Sequence, residues 1–272
     1  SSDRIGGQFN LAMQVPGKEE FAQTLRYFSR QLAITGVKLQ LQTRVTREYL
    51  LRQGFDEVVV ATGIVPRTPR ITGVERTNVV SYIDVLQRKV TVGKRVAIIG
   101  AGGIGFDVGE FLLHDPSVPL PLSIEHWCRD WGVDLRAQSH GGLVEPAAAK
   151  PYREVYLLQR KTTRLGAGLG KTSGWVHRAV LQRNGVTMLG VEYQSIDNTG
   201  LHITVNGEPR VLEVDHVVLC AGQEPLTELM PPADAPSIAG APRFHKIGGA
   251  ALASELDAKR AIREGAVLAA SL

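Results

Sequence analysis

Residues 95–105 of this 272-residue chain carry the types and spacing for one kind of chemistry. Arg95 opens the apolar run Val96-Ala-Ile-Ile99, and Gly100, Gly102 and Gly105 follow at Gly-x-Gly-x-x-Gly spacing, with Gly103 and Ile104 among them. Phe106 to Leu113 then reads as a helix. A buried strand, a glycine turn and a helix in that order make a place for a pyrophosphate. The first glycine permits a tight turn, the second lets backbone approach the phosphates, and the third lets helix and strand pack closely. The helix start adds free N–H groups and the positive end of a dipole. The expected ligand is therefore a dinucleotide, cradled by Gly100, Gly102, Gly103, Ile104 and Gly105.

A second group of residues selects among dinucleotides. The strand-like run Val155-Tyr-Leu-Leu158 leads into Gln159-Arg160-Lys161, with Arg164 close behind. An NAD site usually places Asp or Glu here, to hold the ribose 2′-hydroxyl. Cations favour a 2′-phosphate instead, which a guanidinium can grip through two hydrogen bonds. The reading is NADP(H), held by Arg160, Lys161 and Arg164; the plainer alternative is a solvated basic strand end. Gly105 and Arg160 stand 55 positions apart, against a usual spacing of roughly 20. The excess is the Pro- and Gly-rich stretch 114–152, read as an insertion containing a short helix, 123–131. Trp127 and Trp131 share a face of that helix, as part of either a surface loop or a docking element.

Other chemistries find less support. Gly170-Lys171-Thr172 resembles a P-loop, but Leu165 stands where the pattern needs its first glycine. The stretch is better read as a glycine loop beside the phosphates, with Lys171 as an added contact. There is no Gly-x-Ser-x-Gly elbow, no HExxH and no CxxC. No catalytic side chain and no metal site are expected, since hydride transfer relies on stacking and electrostatics more than on an acid or base. Cys128 and Cys220 read as free thiols in a reducing cytoplasm. The net charge of +4 and the scattered cations give no sign of nucleic-acid binding, and no run of 18 apolar residues suggests a membrane span. The opening Ser1-Ser2-Asp3-Arg4 does not read as a signal peptide.

These groups need elements to position them. Phe21, Leu25, Phe28 and Leu32 recur at helical spacing, predicting a helix over 18–34 that stops at Gly36. Val37, Leu39 and Leu41 alternate with polar residues, predicting a strand with one wet face. Buried strands are predicted at 57–61, 154–158, 186–189 and 216–220, and helices at 81–88, 173–183 and 255–268. Asn206-Gly207 predicts a hairpin between 201–205 and 211–214. The segments 56–66 and 215–225 match without a gap at an offset of 159 (215 − 56). Each is a strand followed by small-small-Gly-x-x-Pro, so two related units are implied. The expected fold class is α/β: two Rossmann-like dinucleotide-binding units, one inserted in the other, with parallel central sheets and a small β-hairpin layer. The expected boundaries are 1–87 with 226–272 for an FAD-type unit and 88–225 for an NADP(H)-type unit. Gly222 is expected to pass close to the nicotinamide-side ribose.

Several segments together resemble one family. They are Ile5-Gly-Gly-Gln8, Ala61-Thr-Gly63-Ile-Val-Pro66, the Gly100–Gly105 fingerprint, Leu158-Gln-Arg-Lys161, Gly168-Leu-Gly-Lys-Thr172, Cys220-Ala-Gly-Gln-Glu-Pro225, Ile247-Gly-Gly249 and Glu255-Leu-Asp-Ala-Lys-Arg260. The chain is similar to the C-terminal part of bacterial NADPH-dependent 2,4-dienoyl-CoA reductases, within a wider group that includes trimethylamine dehydrogenase. The resemblance implies passage of electrons from NADPH to FAD, in the β-oxidation of unsaturated acyl chains. It implies a flavin site at Gly7, Gln8, Val45, Ala61, Thr62, Gly63, Gly248 and Gly249. It also implies a partner, the N-terminal barrel of the same protein, which in that family carries FMN, a 4Fe–4S cluster and the acyl-CoA site. Neither that barrel nor the first strand and glycine motif of the FAD unit is in this sequence, so the chain is expected to be a fragment, natural or engineered. FAD retention is expected to be weak and self-association to follow from an exposed strand edge. Rivals are another NAD(P)H:flavin oxidoreductase of the same layout and a non-catalytic nucleotide-binding docking fragment.

Overall fold

The computed structural model describes residues 2–118, 123–232, 234, 240–254 and 258–272. The first half of the chain runs α1 (Phe9–Ala12), α2 (Phe21–Ile34), α3 (Arg47–Arg52), β1 (Glu57–Val60), β2 (Ile64–Pro66), β3 (Val79–Ser81), α4 (Tyr82–Leu86), β4 (Arg95–Ile99) and α5 (Gly103–Leu113). There follow α6 (Ile124–Trp131), β5 (Glu154–Gln159), α7 (Gly174–Arg183), β6 (Thr187–Gly190), β7 (Glu192–Ile196), β8 (Leu201–Val205) and β9 (Glu208–Leu212). The chain closes with β10 (His216–Leu219), β11 (Gln223–Pro225), β12 (Arg243–Lys246) and α8 (Ala258–Ser271). It is an α/β fold in two compact units. Unit 1 comprises residues 1–10, 21–67 and 221–272, and unit 2 comprises 11–20 and 68–220.

Unit 2 is built on a five-stranded parallel sheet in the order β3-β10-β4-β5-β6. The chain steps outward from β4 through β5 to β6, then returns to β10 on the other side of β4. The β4/β10 boundary is thus the topological switch point, where open α/β sheets bind ligands beyond the carboxyl ends of their strands. Parallel strands covered on both faces need continuous apolar runs, and β4 supplies one: Val96, Ala97 and Ile98 are fully buried and Ile99 nearly so. Phe106, Val108 and Leu112 of α5 pack into the same core, with Val155 and Leu157 of β5 and Leu181 of α7. The strands β7, β8 and β9 form an antiparallel sheet. Its second turn uses Asn206 at φ 52° and Gly207 at φ 86°, the left-handed pair that a two-residue hairpin favours.

In unit 1, β1 pairs in parallel with β12, and Val58, Val60 and Ala250 form its buried cluster. The internal repeat has a structural meaning here. Strands β2 and β11, one from each copy, pair antiparallel with Ile64 opposite Pro225 and Pro66 opposite Gln223. Two further bonds continue the ribbon with the same 159-residue relation: Arg67 N–H to the Gly222 carbonyl and Leu226 N–H to the Gly63 carbonyl, both 3.0 Å. Gly63 and Gly222, the matching glycines, both adopt positive φ, 79° and 95°.

Three expectations change. The units divide at 67/68 and 220/221, with 11–20 also in unit 2, rather than at 87/88 and 225/226. The reasons are that β3 pairs with β10, that Leu11 and Val15 join the unit 2 core, and that β11 is held by β2. Residues 37–41 do not form a strand; Val37, Leu39 and Leu41 are exposed and join no strand ladder among the described residues. Alternation alone does not make a strand without a partner ladder. Helix α2 begins at Phe21 rather than 18. The expected closing helix is seen from Ala258; Glu255, Leu256 and Asp257 lie outside the described residues.

Candidate dinucleotide site

The glycine turn stands at the carboxyl end of β4, on the switch point. Gly100 takes φ 113°, a backbone that other residues rarely adopt, and donates its N–H to the Leu158 carbonyl at 2.8 Å. A Cβ at Gly105 would collide with the Gly100 carbonyl oxygen and lie 3.3 Å from Leu157 Cδ1. Helix α5 therefore sits on the β4–β5 pair at a distance that only glycine allows. Gly102 is different. It precedes α5 with φ −83° and ψ −174°, no side chain caps the helix, and a Cβ there or at Gly103 would meet nothing within 4 Å. The first turn of α5 consequently offers its unpaired N–H groups to open space, as an anion cradle requires. Ile104 packs against the core and fixes the turn's other side.

β5 lies beside β4 with Leu158 opposite Ile99. Gln159 and Arg160 therefore emerge next to Gly100, one strand spacing away, about 4.8 Å between neighbouring strands. Gln159 is almost fully buried, and its Nε2 donates to the carbonyls of Lys161, at 2.9 Å, and Thr163. This side chain, which sequence reasoning passed over, shapes the loop that displays the cations. The signal for it was a polar residue ending an otherwise apolar strand. Arg160, Lys161 and Arg164 are exposed and make no ion pair among the described residues. A site that offers free backbone N–H groups and adjacent unpaired cations fits a phosphorylated dinucleotide.

The P-loop-like stretch has a packing explanation. A Cβ at Gly166 would press on the Phe106 ring at 2.7 Å, and one at Gly174 on Leu169 Cβ at 2.7 Å. The Gly166 carbonyl accepts from Arg178 Nη1 at 3.0 Å. These glycines let the loop close down on α5 and α7, while Lys171 stays exposed. The insertion is likewise engaged within unit 2. Trp127 stacks on Trp131 at 6.0 Å, Trp131 meets Trp175 of α7 edge-on at 6.4 Å, and Arg183 lies 5.0 Å over Trp131. Trp127 and Trp175 remain more than half exposed.

Beneath the site, the buried Glu110 of α5 pairs with His177 of α7 at 2.6 Å. The hydrogen bond to Glu110 raises the His177 pKa, against the opposing effect of burial. Asp107 of the same helix pairs with Lys18 at 2.6 Å. Cys220, following β10, donates its N–H to the Ile99 carbonyl at 2.8 Å, and burial pushes its thiol pKa well up. It is a packing thiol rather than a nucleophile. Neither pair was anticipated from sequence.

The flavin-side residues fall in unit 1. Gly249 packs on Gly63, where a Cβ would be 3.2 Å from the Gly63 Cα, and Gly248, at φ 60°, donates its N–H to Glu264 Oε2 at 2.5 Å. Thr62 donates its hydroxyl to the Leu226 carbonyl at 2.5 Å, and Ala61 is exposed. The structure thus brings Gly63, Gly248 and Gly249 together. No hydrogen bond among the described residues ties Gly7, Gln8 or Val45 to them. Gly7, at φ 46°, is exposed with open space where a Cβ would stand, and so is Gln8; Val45 is half-buried. Gly222 carries the Arg67 guanidinium against it, with Arg67 Nε and Nη2 donating to the Ala221 carbonyl at 3.0 and 2.5 Å. Among the described residues no three potential ligands gather to hold a metal, and no helix is long and apolar enough to cross a membrane.

A glycine turn at the switch point of a doubly wound parallel sheet defines a dinucleotide-binding protein. More narrowly, the chain belongs to the pyridine nucleotide-disulphide oxidoreductase family, whose model matches residues 11–239. It is 27% identical over 233 residues to a metal reductase of Desulforamulus reducens, covering 84% of this chain and 34% of that protein. It is 26% identical over 226 residues to an NADH oxidase of Thermoanaerobacter brockii, covering 82% and 29%. Among solved structures, a 2-naphthoyl-CoA reductase matches with a TM-score of 0.75 and 25% identity, over 97% of this chain and 34% of that one. Histamine dehydrogenase from Rhizobium sp. 4-9 shares the fold, with a TM-score of 0.71 at 17% identity, over 100% and 39%. The chain spans between 29% and 39% of the length of these four proteins. The relatives it matches are named as oxidoreductases, and the family it belongs to is named for pyridine nucleotide.

Proposed function

We propose that the chain is the NADPH-to-FAD electron-transfer portion of a flavin oxidoreductase of the 2,4-dienoyl-CoA reductase type. The observation that carries this reading is the uncapped, open glycine turn at Gly102 and Gly103, set beside the unpaired cations Arg160, Lys161 and Arg164. Bound nicotinamide supplies a hydride. The chain's own residues do the rest: the α5 N-terminus neutralises the pyrophosphate, and the β5 loop grips the 2′-phosphate and so selects NADPH over NADH. Gly7, Gln8, Val45, Ala61, Thr62, Gly63, Gly248 and Gly249 are proposed to hold the flavin. The acyl-CoA specificity draws support from the sequence resemblance and from the likeness to a protein named 2-naphthoyl-CoA reductase. The reduction of the acyl chain is assigned to a barrel partner carrying FMN and an iron–sulfur cluster, and the exposed apolar residues of unit 1 are assigned to self-association.

Another NAD(P)H:flavin oxidoreductase module is the second reading, favoured by relatives of differing activity such as the NADH oxidase. Absorption spectra of the purified chain with and without added FAD, followed by NADPH oxidation with an artificial acceptor, test the shared core of both. FAD-dependent oxidation is the expected outcome. NADPH binding without any flavin-dependent oxidation would reduce the chain to a docking fragment.

A further inference from the structure

Unit 2 carries a polar atom that the cradle described above leaves without a task. Tyr193 is the second residue of β7, two positions beyond Val191, whose N–H donates to the Gln159 carbonyl at the end of β5 (2.7 Å). Tyr193 pairs with Ile203 of β8, and the register then slips before Ser195. Such bulges recur beside active sites, where they re-aim a side chain. The Tyr193 hydroxyl is buried and has no hydrogen-bond partner among the described residues. The other buried unpartnered nitrogens belong to arginines that bond through a second nitrogen: Arg47 to Glu228, Arg178 to Gly166 and Arg260 to Leu252. Tyr193 has no second polar atom to use.

The position of the hydroxyl is set by its neighbours. Burial pushes the phenol pKa up, and the groups acting on it electrostatically are Arg160, which lowers it, and Cys220, which raises it. Arg160 follows β5 and Cys220 follows β10, and these strands flank β4. The Val191–Gln159 hydrogen bond places the start of β7 at the end of β5, and that strand end lies beside the Gly100 turn. A buried hydroxyl without a partner is rare in native proteins and calls for a reason, such as a bound ion or water or a part in the work of a site.

We propose that the Tyr193 hydroxyl donates a hydrogen bond to an oxygen of the bound pyridine dinucleotide and is a binding residue of the unit 2 site. The proposal rests on the reading of that site as an NADP(H) cradle. The test compares the full chain with Tyr193→Phe, using calorimetric titration with NADPH and with NADH, and thermal unfolding without nucleotide. The expected result is an NADPH Kd raised about 3–10-fold, the worth of one hydrogen bond, with an unfolding temperature equal to or above that of the wild type. A hydroxyl serving only the fold would give the reverse, a lowered unfolding temperature with Kd unmoved, and would overturn the proposal. Equal Kd in a folded variant would overturn it alone. A wild type that binds neither nucleotide would overturn the reading of the cradle and the proposal with it.

Discussion

Two glycines three residues apart illustrate how differently a single Cβ acts in one motif. At Gly105 it would strike the Gly100 carbonyl, which is backbone and cannot yield. At Gly102 it would enter open space. Gly105→Val is therefore expected to destabilise unit 2 by at least about 2 kcal/mol, in the overpacking range. Gly102→Val is expected to leave the urea midpoint nearly unchanged while weakening NADPH binding at least tenfold, because the side chain fills the approach of the pyrophosphate. Denaturation and fluorescence titration of both variants check the contrast. A Gly102→Val protein that folds and binds normally would contradict the assignment of the turn.

At the scale of elements, α5 and α7 are joined across their apolar contact by Glu110 and His177. The His177 pKa is raised in the folded state, so the pair stabilises fully below the unfolded value near 6.5. That contribution is lost as pH rises through the higher folded pKa. Urea midpoints of wild type and His177→Gln, measured from about pH 5.5 to about pH 9, are expected to converge as pH rises, and a gap independent of pH would contradict this. The sequence made some elements legible and others not. Strand β4, helix α5, strand β5 and the Asn206-Gly207 turn were readable because each has a local cause: continuous apolar residues, glycine spacing or left-handed turn chemistry. The cations at 160, 161 and 164 are exposed, and their part in holding a 2′-phosphate is the proposal tested below. The failed strand at 37–41 has the right alternation, but strand formation depends on a neighbour that alternation does not encode. Gln159, Tyr193 and the Glu110–His177 pair were hidden because their roles arise from partners distant in sequence or from the lack of one.

At the scale of the molecule the two units differ in how much they bury. Unit 2 has a continuous core running from Leu11 and Val15 through β4, α5 and β5 to Leu181 and Val218. In unit 1, α2 and α8 have no buried residue among those described, and Tyr27, Phe28, Ile34, Val37, Leu39 and Leu41 are exposed. Segments with few buried apolar contacts open first. Hydrogen exchange is accordingly expected to be slowest for amides of β4, β5 and β10 and fastest for α2 and α8, and uniform protection across both units would contradict this. Exposed apolar surface of this kind also favours association, consistent with the proposed self-association.

The central claim is that unit 2 selects NADPH through the basic loop after β5. Charge-assisted hydrogen bonds to a 2′-phosphate are worth roughly 1.5–3 kcal/mol each before ordering costs, and exposure lets salt screen part of that. A net difference of about 2–3 kcal/mol corresponds to roughly 30–150-fold tighter binding of NADPH than NADH. The deciding measurement is calorimetric titration of both nucleotides at fixed salt into the wild type and into a double variant, Arg160→Asp with Lys161→Ala. The account predicts that preference in the wild type and its abolition or reversal in the variant. Equal affinity of the wild type for NADPH and NADH would contradict it and leave Arg160, Lys161 and Arg164 as a solvated strand end.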